Sequence, residues 1–319
     1  MIIRLTQLDG KLPNLALMKL GAWHQSCGDS VFFHESSTKG IFEPKYDIVY
    51  GSTIFSFTSK KTDIFRRSFP NAILGGTGSL SDITVEKVIG DFKGISYDFY
   101  PDFKNSIGFT QRGCRFRCKF CVVPAKEGFP SENSSIKDIW RGYGHPKNIL
   151  LLDNDFFGQT KESWKSRIEE IREGKFRVCF SQGINIRVIG DEEAEALASI
   201  EYRNNDFNRR RIYTAWDNIG DEEDFFRGVE ILNHAGIPPN HLMAYMLIGF
   251  SPSETWEKIW HRFNRMVSIG ILPYPMVYDK KRADLMCFQR WVIRGLYRTI
   301  PWNEYKRKTK SEASECQNM

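Results

Sequence analysis

The sequence predicts an α/β fold in which a small doubly wound α/β domain precedes six strand–helix units. From about Asn105 onward, short apolar runs alternate with amphipathic helical patterns, the signature of parallel strands joined by crossover helices. Before Asp102 the alternation is shorter, and it closes on the glycine-rich turn Gly75-Gly76-Thr77-Gly78.

In the first region strands are expected over 2–8 and 30–34, around a helix over 15–26, and again over 47–57 and 71–74. The last of these runs into the glycine turn. That turn lacks the Lys-Ser or Lys-Thr pair of a phosphate-binding loop, so a tight turn is its plain reading.

In the second region strands are expected over 106–110, 148–153, 176–182, 211–216, 241–248 and 272–278. Each is rich in β-branched, aromatic or aliphatic residues and bounded by turn residues. Asp221 is expected to cap a helix in which Phe225, Val229 and Leu232 recur at helical spacing, with Gly236 as its left-handed stop. Ser251 and Glu254 have capping-box spacing ahead of an apolar face made of Trp256, Trp260, Phe263 and Val267, which reads as core. The expected organisation is a first domain over 1–101, the strand–helix region over 102–283, and a C-terminal helix with a basic tail over 284–319.

A chain of 319 residues, 41% hydrophobic and 26% charged, can build one large or two modest cores. The opening Met1-Ile2-Ile3-Arg4-Leu5 run is broken too soon by Gln7 and Asp9 to be a secretion signal, and no apolar stretch is long enough to span a bilayer. A cytoplasmic protein with no membrane partner is therefore expected. The odd total of seven cysteines agrees with free thiols, and Cys27, Cys179, Cys287 and Cys316 are scattered without paired spacing. A net charge of +6 permits a polyanionic partner such as a nucleotide or nucleic acid. Part of that charge lies in Arg209-Arg210-Arg211 and in Lys306-Arg307-Lys308-Thr309-Lys310, runs that are commonly solvated faces or tails.

Cys114, Cys118 and Cys121 form the most informative run in the chain. Thiolates at this spacing can converge from one loop on one inorganic cluster, and three of them leave a four-iron cluster one iron short of a protein ligand. The alternative is a zinc knuckle, which needs four ligands, and the nearest histidine, His145, is remote in sequence. The spacing, with Phe120 before the last cysteine, resembles the C-x3-C-x-aromatic-C loop of the radical S-adenosylmethionine superfamily. The resemblance implies a [4Fe-4S] cluster on Cys114, Cys118 and Cys121, with S-adenosylmethionine chelating the fourth iron. It also implies an electron donor such as flavodoxin or ferredoxin, and an open six-unit (β/α)6 partial barrel whose first strand leads into the cluster loop.

The first domain resembles the cobalamin-binding-type domain that precedes many such enzymes, in the segment Leu12-Pro13-Asn14-Leu15-Ala16-Leu17-Met18-Lys19 and in the glycine turn. The D-x-H-x-x-G segment that supplies an axial histidine is absent and the domain is abbreviated, so a vestigial scaffold is expected in preference to a cobalamin site.

In parallel barrels the residues just after each strand carry the site. These positions nominate Asp153, Asn154 and Asp155, where many members of the resembled family carry Gly-Gly-Glu to receive the methionine amino group. Turn capping is the plainer role for Asp153 and Asp155. Gln182 and Arg187 follow the third strand, and the planar fork of Arg187 suits a carboxylate of the cofactor, of a substrate or of the protein itself. Trp216 can stack on a base or pack under the rim, and Asp217 can hold a ribose hydroxyl. The resemblance to a strand-five motif places Ile248 and Gly249 against adenine, although Met246 replaces its first glycine. Tyr278, after the sixth strand, is a candidate hydrogen donor or substrate contact.

The resemblance implies an enzyme that reductively cleaves S-adenosylmethionine to a 5′-deoxyadenosyl radical and modifies an unidentified substrate by methylation or other C–H chemistry. A methylthiotransferase would carry three further cluster cysteines in its first domain, where only Cys27 is present. The other class to be weighed is a nucleic-acid-binding module that uses the cysteine loop as a metal knuckle, without radical chemistry.

Overall fold

The computed structural model describes residues 1–79 and 81–305, so the basic run 306–310 and Cys316 lie outside the described residues. The chain forms two compact units, Met1–Ile107 with Tyr143–Pro146, and Gly108–Gly142 with the chain from Lys147 onward. Both are mixed α/β with parallel sheets. No described helix is long and apolar enough to cross a membrane.

The first unit contains β1 (Ile2–Gln7), α1 (Leu15–Ser26), β2 (Ser30–His34), β3 (Ile48–Ser52), α2 (Ser59–Ser68), β4 (Ile73–Gly75) and α3 (Val85–Ile89). Its strands run parallel in the order β2-β1-β3-β4. β1 is central and almost wholly buried, and α1 begins where the Asn14 side chain accepts the Leu17 N–H. The expected strand over 47–57 stops at Ser52, because residues beyond it turn to reach Asp9: the Ile54 and Phe55 N–H groups donate to its carboxylate at 2.7 and 3.0 Å. Thr53 and Thr58 hydroxyls donate to the same carboxylate at 2.8 and 2.6 Å.

This is the end of the sheet where the order reverses between β1 and β3, the place where such folds bind ligands. Here its donors are turned to the chain's own Asp9, Asn14 bonds Ser52 Oγ at 2.8 Å, and Gln7 accepts from Tyr100 Oη.

The chain enters the second unit within β5 (Ser106–Gly108). There follow β6 (Gln111–Arg112), α4 (Val123–Glu127), β7 (Ser131–Glu132), α5 (Ile136–Ile139), β8 (Asn148–Leu151), α6 (Lys161–Glu173), β9 (Arg177–Phe180), α7 (Asp191–Ala198) and β10 (Glu201–Tyr202). The remainder is β11 (Ile212–Ala215), α8 (Glu222–His234), β12 (Leu242–Ile248), α9 (Trp256–Ser268), β13 (Leu272–Val277) and α10 (Ala283–Ile293). The strands lie in two principal sheets, β10-β9-β8-β5 and β11-β12-β13, with β6 and β7 forming a small antiparallel pair. Between the principal sheets the chain passes closely: Ile184 N donates to Tyr213 O at 2.9 Å, and Tyr245 Oη to Ser181 O at 3.2 Å. Gly183 makes that approach at φ +88°, where a Cβ would stand 3.1 Å from Tyr213 O.

One hydrophobic core runs through this unit from Ile149 and Leu151 on β8 to Phe288 and Trp291 on α10. α10 is part of that core, with Phe288 edge-on to Trp260 at 5.3 Å. Two expected caps are corrected. Thr255, not a Ser251–Glu254 box, caps α9 by accepting the Lys258 N–H, because Glu254 turns inward to Arg262. Asp221 precedes α8 without capping it, because its carboxylate pairs with Arg187 at 2.8 Å.

Candidate functional site

The cysteine loop hangs from the β6–β7 pair and is closed at its neck, where Cys114 N donates to Gly128 O at 3.1 Å. Gly113 makes this closure at φ +82°, and a Cβ there would lie 2.3 Å from Phe129 O, so no other residue fits without moving the neck. A turn brings Cys121 N to Cys118 O at 2.9 Å.

Two carboxylates hold the loop. Glu127 accepts from Gly113 N at 3.1 Å, from Arg112 Nε and Nη2 at 3.1 and 2.9 Å, and from Asn154 Nδ2 at 3.1 Å. Asp155, 2% exposed, accepts from Arg115 N at 3.2 Å and pairs with its Nε at 2.9 Å. The guanidinium groups of Arg115 and Arg187 each lie 5.4 Å from the Phe116 ring centroid.

Loops following β8, β9 and β12 meet this one. Asn154 and Asp155 come from the end of β8, and Arg187 follows β9 and pairs with Asp221 after β11. Asp217 Oδ1 accepts Leu247 N of β12 at 2.9 Å. Phe120 in the cysteine loop is edge-on to Phe250 at 5.6 Å, and Phe250 to Tyr278 at 4.9 Å.

Burial pushes the Cys114 thiol up to about 11, and repulsion from Asp155, Cys121 and Cys118 adds to it. Cys121 is raised too, first by burial and then by Cys118, Glu127 and Asp217. Burial holds the Cys114 and Cys121 thiols against ionisation, a cost that a cationic metal centre would relieve. Among the described residues no group of three or more His, Cys, Asp or Glu side chains is gathered closely enough to hold a metal ion. Cys114, Cys118 and Cys121 are free thiols on one loop, soft donors of the chemical type that iron–sulfur clusters take.

The expected site residues fall into distinct groups. Asp153, 3% exposed, accepts Thr110 N at 2.7 Å and bonds the Thr110 hydroxyl, which ties the segment after β8 to that after β5. Asn154 and Asp155 hold the cysteine loop as described, so all three residues expected to receive the cofactor have protein partners. Gln182 is exposed and makes no hydrogen bond among the described residues. Trp216 is corrected: its ring is 0% exposed and stacks on Phe225 at 5.2 Å, because side chains at that strand end point into the core. Ile248 is likewise 0% exposed and meets the rim only through its carbonyl, which accepts Tyr278 N at 2.9 Å. Gly249 follows at φ +77°, bonded through its N–H to Glu254. Asp217, raised by burial, stands near the thiols, and Tyr278 is 56% exposed at the rim.

Sequence reasoning missed Glu127, Arg115, Phe116, Phe250 and Arg262. The first was detectable: residues 112–126 carry five cations and no carboxylate before Glu127, so that residue had an evident charge to answer. Arg262 pairs with Glu254 eight residues earlier, but the Trp216 and Asp217 carbonyls it also bonds are distant in sequence and left no local signal. No family model matches the chain, and no curated protein matches it in sequence.

Proposed function

We propose that the second unit is an iron–sulfur enzyme of the radical S-adenosylmethionine type, its two principal sheets together forming an open (β/α)6 partial barrel with the site at the strand C-terminal ends. One observation carries this reading: the C-x3-C-x2-C loop is closed at its neck, bonded to the loop after β8 and in ring contact with the loops after β9 and β12. Cys114, Cys118 and Cys121 would hold the cluster, which when bound supplies the electron that cleaves the sulfonium of S-adenosylmethionine.

The chain's own groups bind, orient and shield. Glu127 and Asp155 fix the loop. Asp217 keeps Oδ2 for a hydroxyl while Oδ1 is bonded to Leu247 N. Gln182 presents an unused amide, and the exposed Tyr278 hydroxyl would be a hydrogen donor at the rim. Asp155–Arg115 and Arg187–Asp221 are internal ion pairs, so Arg187 acts on a cofactor carboxylate only by sharing its guanidinium with Asp221.

The test is anaerobic reconstitution followed by assay of iron, acid-labile sulfide and reductant-dependent 5′-deoxyadenosine. The expected result is a brown, oxygen-sensitive protein whose 5′-deoxyadenosine yield is abolished in Cys118→Ala. An unchanged yield in that variant, or a colourless protein holding stoichiometric zinc and no iron, overturns the proposal.

A further inference from the structure

We propose that the rim around the cysteine loop binds a phosphate-bearing nucleobase, with the base against exposed aromatic rings and the phosphate on Arg117 and Lys119. This rests on the reading above for what happens to the substrate, although the binding itself does not need the radical chemistry.

The cations of the loop are unequally answered. Arg112 is paired with Glu127 and Arg115 with Asp155. Arg117 and Lys119 are exposed and have no carboxylate partner among the described residues. Beside them stand rings that folding has left in water: Phe129 is 68% exposed, Tyr278 56% and Phe120 38%. The Arg117 guanidinium already lies over the Phe129 ring, 5.5 Å from its centroid.

Surface cations alone are ordinary, and so is a single exposed ring. Unanswered cations on a closed loop, with exposed rings on it and beside it, are the means by which unpaired nucleotides are bound, with phosphates on the charges and base faces on the rings. An acidic protein surface would account for the cations and leave the rings unexplained. A duplex would hide the base faces that the rings would engage.

Binding is measured by fluorescence anisotropy of a labelled single-stranded oligonucleotide on the reconstituted full-length protein, with mononucleotides and a duplex of the same sequence as competitors. We expect the single strand to bind and the duplex to compete poorly. Competition by mononucleotides at the same concentration of bases identifies a free nucleotide as the source, and competition by strands alone identifies a polymer. Phe129→Ala should weaken binding roughly tenfold. The double change Arg117→Ala with Lys119→Ala should reduce the slope of log affinity against log salt by about 1.4. These side chains are exposed, so circular dichroism should be unaltered.

The proposal is overturned if no nucleotide binds at low salt, if duplex and single strand bind equally, or if both variants bind like the parent. It is also overturned if the charge change slows only reduction by an acidic electron-transfer protein. Loss of 5′-deoxyadenosine formation with nucleotide binding intact would sink the enzymatic reading alone. Absent nucleotide binding with 5′-deoxyadenosine formation intact would sink this one alone.

Discussion

Trp216 shows how a residue's position along a strand can mislead about its direction. Its place at the end of β11 suggested a ring turned to the site, yet the ring stacks on Phe225 and meets Phe226 edge-on. Truncation should therefore act on stability: Trp216→Ala should cost about 3–5 kcal/mol, and Trp216→Phe much less, as read from urea midpoints. An alanine variant as stable as the parent would return the ring to the site. Arg187 and Asp221 teach the related point that a short-range rule yields to a long-range partner. A helix cap is legible in neighbouring residues, whereas the Arg187–Asp221 ion pair spans positions that only the fold brings together.

At the scale of elements, the strand positions were legible because buried parallel strands need continuous apolar runs, and β5, β8, β9, β11, β12 and β13 lie within the six expected ranges. Their ends were less so, since the last expected residues, such as Thr110 and Asp153, leave the ladder to bond one another. The cysteine loop was legible in its spacing and illegible in its closure. Gly113→Ala places a methyl against the Phe129 carbonyl, so iron bound per chain after anaerobic reconstitution should fall severalfold while the far-ultraviolet dichroism stays unchanged. Undiminished iron would mean the neck is not needed to gather the thiols. On α9, Arg262 is buried and donates to the carbonyls of Trp216, Asp217 and Leu247 at 3.0, 3.0 and 3.1 Å while pairing with Glu254. Arg262→Met should cost about 3–5 kcal/mol in thermal or urea unfolding, because it strands a carboxylate among the ends of β11 and β12. A near-neutral result would show that those ends are held by packing alone.

For the whole molecule, a proton links stability to pH. Burial raises the Asp153 carboxyl from 3.8 to about 7, against the opposing bonds from Thr110. Between those values the folded chain keeps a proton that the unfolded chain releases. This group's contribution is therefore full below about pH 4 and declines as pH rises towards 7, by at most about 1.4 kcal/mol per unit. Asp153→Asn, which cannot titrate, should flatten that part of the stability profile. Equal slopes for variant and parent in denaturant titrations at pH 5 and pH 7 would refute the assignment. The α/β class was legible throughout because alternation of apolar runs and amphipathic stripes is a property of the chain itself. The division of the second unit's principal strands into two sheets was not, because strand pairing depends on long-range registers that apolar runs alone do not encode.

The neck at Gly113, Cys114 and Gly128 carries a last consequence. By fastening the loop below its tip, it makes the tip a cassette. On the proposed reading, Arg117 and Lys119 could be exchanged to suit a different guest without touching the bonds at Cys114 and between Cys118 and Cys121.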